Sequence, residues 1–233
     1  MGVATLQALR DELRFGVGGF LATADELPDP RVDRWLGWAL LHVSRPSIYS
    51  HRELMTSGTF ALVASTPSYT LASFGTTTDN VQAIRRVHYE TRGHRLRPMS
   101  HRQYLEAARR ADGTVVTGEP QQYAIDGPSL YVSPAASANF LGTVRVFFFR
   151  KPTALAAAGA ATELAEDWDE VILAGGVWRA FRALNVADRA ELAKLNFGQL
   201  VNEVRDRLRE DAQQDHDGHT FEVENLDYQE NPV

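Results

Sequence analysis

The sequence predicts an α+β protein. A helical bundle, built from N-terminal helices and a C-terminal helical hairpin, carries an inserted antiparallel β-sheet domain and ends in an acidic arm. Three observations lead there. Apolar residues recur at steps of three and four at Leu6, Leu9 and Leu13, and again at Trp168, Val171, Ile172, Gly175, Trp178, Phe181 and Leu184. That spacing lines one side of a 3.6-residue helix. From Ser57 the period changes to two, the period of a strand. Helices, then strands, then helices follow one another along the chain, and such segregation favours α+β over alternating α/β.

The first helix lies within residues 3–15, with Arg10, Asp11, Glu12 and Arg14 between its leucines, and Gly16, Gly18 and Gly19 break it. A polar loop over 22–30 leads to a second helix, with Asp29 as its cap and Pro30 in its first turn. Val32, Trp35, Leu36, Ala39, Leu40 and Val43 face inward, and the helix stops before Pro46. Phe60, Leu62 and Ala64 then alternate along a strand; Pro67 and Ser68 turn it, and Tyr69 and Leu71 alternate on the return. Residues 75–80 form a polar loop, and 81–89 a strand with Val87 and Tyr89 on one face. Ser100 and Gln103 form a capping box for a short helix carrying Tyr104, Leu105 and Ala108. Residues 121–132 read as a β-hairpin turning at Asp126-Gly127-Pro128. Over 141–149, Val144, Val146 and Phe148 occupy one face and Phe147 and Phe149 the other, as in a strand central in its sheet.

An Ala-rich connection over 154–161 leads to the helical hairpin at 166–210. Its turn is Asn185-Val186-Ala187, with Asn185 as N-cap and Asp188 as its partner. Leu192, Leu195, Leu200, Val201, Val204 and Leu208 form the inward stripe of the second helix. The domains are therefore 1–56 with 153–210 as the bundle, 57–152 as the sheet domain, and 211–233 as the arm. The arm contains no Arg or Lys. Its alternation at 220–224, followed by Leu226 and Tyr228, reads as an acidic tail or as a strand added to a neighbouring subunit through Phe221, Val223, Leu226 and Tyr228.

Composition narrows the function. A chain of 233 residues with 44% hydrophobic and 23% charged residues builds an ordinary globular core. Without cysteine, thiolate catalysis, disulfides and cysteine-zinc sites are excluded. A net charge of −6 means that the molecule as a whole is not a nucleic-acid binder by electrostatics. No apolar run approaches the roughly 18–20 residues of a membrane span. The start lacks the cationic segment and apolar core of a signal peptide, so the expectation is a soluble protein assembled inside a cell, with no membrane partner.

The residues of chemistry do not converge. Gly16-Val17-Gly18 lacks both the third glycine and the preceding strand of a dinucleotide fingerprint. There is neither a nucleophile elbow nor a phosphate loop. His88, His94 and His101 show no zinc-protease pairing; His216 and His219 lie with Asp215 and Asp217 in a segment that reads as solvated. No catalytic, cofactor or metal residue is expected. The segment with content is 85–110, where Arg85, Arg86, His88, Arg92, Arg95, Arg97, Arg102, Arg109 and Arg110 outnumber acids. It reads as a solvated face, as a patch for nucleic acid, or as a surface for an acidic partner such as another subunit. Arg85, Arg86, Arg95 and Arg97 are its interface candidates.

The order of certain pieces resembles a family, the head-to-tail adaptor proteins of tailed bacteriophages, also called head-completion or connector proteins. The residues that carry the resemblance are Pro67-Ser68-Tyr69-Thr70-Leu71, Leu96-Arg97-Pro98-Met99-Ser100, the run from Gly118-Glu119-Pro120 to Asp126-Gly127, Leu130-Tyr131-Val132-Ser133-Pro134, Phe148-Phe149-Arg150-Lys151-Pro152 and Glu166-Asp167-Trp168. The likeness spans roughly residues 5–210; Ala72-Ser73 departs from a Leu-Pro pair common in the family, and the resemblance does not reach the tail beyond Glu210, whose role stays open. It implies a virion protein without cofactor or enzymatic activity. About twelve copies would close a ring by a head-to-tail contact. The ring would join portal protein to tail proteins and pass DNA through its lumen without sequence-specific binding. A nucleic-acid-binding module, an enzyme and a tail-terminator or portal-associated protein stand as alternatives.

Overall fold

The computed structural model describes residues 5–17, 28–74, 81–108, 114–155 and 157–214. In chain order its elements are α1 (Leu6–Val17), α2 (Asp29–Val43), β1 (Met55–Ala61), β2 (Ser68–Thr70), β3 (Val81–Tyr89), β4 (His94–Pro98), α3 (His101–Ala107), β5 (Thr117–Gly118), β6 (Gln122–Asp126), β7 (Ser129–Ser133), β8 (Ala135–Ala136), β9 (Thr143–Arg150), α4 (Asp167–Ala183) and α5 (Ala187–Gln214). The class is α+β.

The four long helices share one core. Leu6, Leu9 and Leu13 of α1, Leu36 and Val43 of α2, and Trp168, Val171 and Ile172 of α4 are almost wholly buried in it. Helix α1 runs through Gly16 to Val17, whose side chain is buried, so the expected break at Gly16 does not occur. Its first N–H groups would be unsatisfied. Instead Leu6 and Gln7 donate to the carbonyls of Ala160 and Ala158 at 2.7 and 3.0 Å, which gives the Ala-rich connection a structural task. The cap of α2 is Pro28, not Asp29. Asp29 begins the helix, and its carboxylate is drawn away by Arg10 and Arg14. Helices α2 and α4 approach closely at Gly175, where a Cβ would stand 2.9 Å from that of Ala39 and 3.0 Å from the Phe197 ring.

The hairpin turn differs from expectation in its chemistry. Asn185 is left-handed, with φ of +58°. The Val186 N–H closes on the Phe181 carbonyl at 3.1 Å, and the Asn185 N–H on that of Arg182 at 3.3 Å. These two bonds make a Schellman motif, so Asn185 terminates α4 and does not cap α5. In α5 the expected stripe holds at Leu200, Val201, Val204 and Leu208, which pack on the helical core. Ala190, Phe197 and Val204 are buried, whereas Leu192 and Leu195 are 65% and 63% exposed. Trp178 is only half-buried, stacked at 5.7 Å on Phe197 and edge-on to Trp38 at 5.2 Å.

The sheet has seven strands in the order β1-β9-β3-β4-β6-β7-β2. All its pairs are antiparallel except β4 with β6, where Arg97 lies beside Gln122 and Pro98 beside Tyr123. Strand β9 sits between β1 and β3, in accord with apolar residues on both its faces. The expected return at Tyr69 is not a hairpin with β1. Strand β2 pairs with β7 instead, which places β1 and β2 on opposite edges. Strong sheet twist rolls those edges together. Phe60 and Tyr69 meet at 4.4 Å between ring centroids, and the Val63 N–H donates to the Tyr69 hydroxyl at 2.9 Å. The rolled sheet encloses a second core of Val87, Tyr89, Leu96, Val144, Val146 and Phe148. The capping box of α3 forms as the sequence implies, with the Ser100 hydroxyl accepting from the Gln103 N–H at 3.2 Å.

Candidate functional site

The core fixes one face of the sheet; the other face holds the charge. Register decides which residues share it. His88 of β3 pairs with Arg95 of β4 on one side and with Arg145 of β9 on the other. Arg86 pairs with Phe147. Since side chains alternate along a strand, Arg86, His88, Arg95, Arg97, Arg145 and Phe147 all point away from Val87, Tyr89, Leu96, Val144, Val146 and Phe148. Three adjacent strands thus present a basic surface.

Bulges shape its lower end. The β3–β9 register shifts between Val81 and Ala83 and again between Ile84 and Arg86, leaving Gln82 and Arg85 as extra residues. Such residues are re-aimed. The Gln82 amide donates to the Ser44 hydroxyl at the end of α2, at 3.1 Å, and links the sheet to the helices. The Arg85 guanidinium reaches the Met55 sulfur at 3.1 Å on the edge strand. A second link is the Glu163 carboxylate, which accepts from Arg150 at 2.9 Å and from the Thr153 N–H and hydroxyl, both at 2.8 Å. Burial pushes its pKa up, but these donors outweigh that and hold it below the ordinary carboxylate value.

Arg85, Arg86, Arg95 and Arg97 are all exposed. The Arg86 guanidinium lies 4.0 Å from the centre of the Phe147 ring, a cation–π contact that holds it flat over the sheet. Arg145 is engaged by Glu90. The remainder of the basic segment goes elsewhere. Arg92 donates to the Asn139 carbonyl at 3.2 Å, His94 contacts the Pro120 carbonyl at 3.0 Å, and Arg102 pairs with Glu106 on α3. Arg109, Arg110, Phe221, Val223, Leu226, Tyr228, His216 and His219 lie outside the described residues. Sequence spacing alone does not give Arg145, which lies far along the chain and joins the face only through the β3–β9 register.

A shallow depression of about 530 Å³ beside α3 is lined by Pro98, Met99, Gln103, Glu106, Ala107 and Gln122. Among the described residues that line it, Glu106 is the one titratable group, which is no acid–base pair. Among the described residues, no three His, Asp or Glu gather as metal ligands, and no helix is long and apolar enough to cross a membrane. What the geometry offers is an arginine-rich sheet face beside a helical unit, a surface suited to binding. A family model described as SU10 adaptor protein matches residues 3–220. No curated protein matches the sequence.

Proposed function

Because the chain belongs to the SU10 adaptor protein family, we propose that it is a structural virion protein of a tailed bacteriophage, an adaptor ring between the portal of the head and the tail. The match across residues 3–220 carries this reading, since it takes in the helices and the rolled sheet together. On this reading, residues 1–56 with 153–210 form one unit and 57–152 a second. The two separate cores support that division. A ring of about twelve identical subunits closes by a head-to-tail contact and lets DNA pass through its lumen without reading its sequence. The protein assembles in the host cytoplasm, acts at the head–tail junction, needs no cofactor and catalyses no reaction.

Light scattering of the purified full chain, alone and with portal and tail proteins, tests it. A closed ring, formed alone or on docking, is the expected result; a monomer indifferent to every virion component overturns it. The arginine face favours a second reading, a nucleic-acid-binding module. It requires duplex DNA to be retained with an affinity that falls steeply as salt rises.

A further inference from the structure

The basic sheet face needs an acidic partner, and the sequence holds one. Residues 211–233 carry seven Asp and Glu and no Lys or Arg. Helix α5 carries the first four of these residues and ends at Gln214. Arg207 pairs with Asp167 at the start of α4, next to Trp168, whose ring packs on Tyr49 and His51. Tyr49 and His51 lie six and four residues before Met55, where β1 begins. The nineteen residues after Gln214 span up to about 60 Å when extended, enough to leave their own subunit.

We propose that the outer face of β9, β3 and β4 binds residues 211–233 of a neighbouring copy, with the carboxylates of Glu222, Glu224 and Asp227 meeting Arg86 and Arg97. The neighbour is assigned on the ring reading above. Guanidinium forks suit carboxylates, and Arg86 is already held by Phe147. Met55, 39% exposed, offers the apolar residues of the segment ground on the same face. Within a ring the segment stands at a local concentration on the order of millimolar, an advantage that free nucleic acid lacks.

A complementation experiment tests the contact pair by pair. One variant lacks residues 211–233 and keeps the face. The other is the full chain with R86E and R97E. The two are mixed and followed by sedimentation and light scattering. The expected result is a one-to-one complex in the mixture, absent from either variant alone and weakened at least about tenfold by screening salt. A mixture that stays unassociated overturns the proposal. So does duplex DNA held by the truncated variant and not displaced by a free 211–233 peptide, which assigns the face to nucleic acid. Should R86E/R97E fail to fold by circular dichroism, the full chain with E222Q, E224Q and D227N is mixed with the truncated variant instead; it must then fail to join it where the wild-type chain does. Pairwise binding without a closed ring separates failure of the ring reading from failure of this one.

Discussion

His51 and Trp168 lie edge to face with ring centroids 4.9 Å apart, both almost wholly buried. His51 Nε2 donates to the Val43 carbonyl at 3.0 Å, so its Nδ1 holds a lone pair, and among the described residues that atom and the Trp168 Nε1–H have no partner. Burial lowers the pKa of His51 below its ordinary 6.5, against smaller opposing effects of Val43 and Glu53. The unfolded chain therefore binds a proton at a pH where the folded chain does not. Stability from this group is complete above pH 6.5 and is lost as pH falls through the folded value. His42, also lowered by burial and then by Arg45, has the same sign. Urea midpoints at successive pH values from 7 to 5 should fall for wild type and fall less steeply for His51→Gln. An equal slope in both would place the proton elsewhere.

Arg10 is a charge held in the core. Its Nε and Nη2 grip the two oxygens of Asp33 at 2.7 Å each, and Nη1 meets Asp29 at 2.8 Å. This fork pins α1 to α2 through a residue only 8% exposed. Arg10→Ala should cost roughly 2–3 kcal/mol, because the loss leaves Asp33 without its partner. Arg10→Lys should recover less than half, since an ammonium cannot reproduce the fork. Equilibrium urea unfolding reads both, and a change below about 0.5 kcal/mol for Arg10→Ala would show that water replaces the pair.

Much of this was legible in the sequence because period and chemistry agreed locally. The α1 leucines, the α2 stripe, the Ser100–Gln103 box and the hairpin at Asp126-Gly127 all rest on neighbours within a few residues. What stayed hidden depends on distant ones. Tyr69 reads as a return strand to Phe60, and the two rings do touch. Yet the backbone partner of Tyr69 is Leu130, because the sheet rolls instead of turning back. Leu200, Val201, Val204 and Leu208 face the core as their spacing implies, but the same period leads back to Phe197, Ala193 and Ala190 and leaves Leu192 and Leu195 exposed. The turn at Asn185 ends α4 instead of capping α5. Arg145 joins Arg86 and Arg95 only through register, whereas the run of arginines over 85–110 is visible, and its described members, from Arg85 to Arg102, scatter over three surroundings.

That turn makes its own prediction. Asn tolerates the left-handed region, glycine occupies it freely, and a β-branched residue does not. Asn185→Gly should leave stability within about 0.5 kcal/mol of wild type, while Asn185→Val should cost roughly 1–2 kcal/mol. Thermal unfolding of the two variants decides it. Equal loss in both would assign the role to the Asn side chain and not to its backbone.

The rolled sheet depends on a close approach at Gly58. A Cβ there would stand 2.3 Å from the Phe74 carbonyl oxygen and 2.8 Å from the Phe74 Cβ, so backbone and not merely a side-chain tip is in the way. Phe74 is itself held, stacked at 5.0 Å on Phe60, which in turn meets Tyr69 across the closing edges. Adding one methyl at Gly58 must therefore push the 71–74 turn away from β1 and loosen the contact that closes the roll. Gly58→Ala should cost roughly 1–3 kcal/mol and lower Tm by about 5 °C. Near-ultraviolet circular dichroism should lose intensity with it, since Phe60, Phe74 and Tyr69 form one cluster. The helical signal should persist, because the bundle has its own core. An unchanged Tm with unchanged aromatic signal would mean that the 71–74 turn gives way freely and that the sheet stays closed without it.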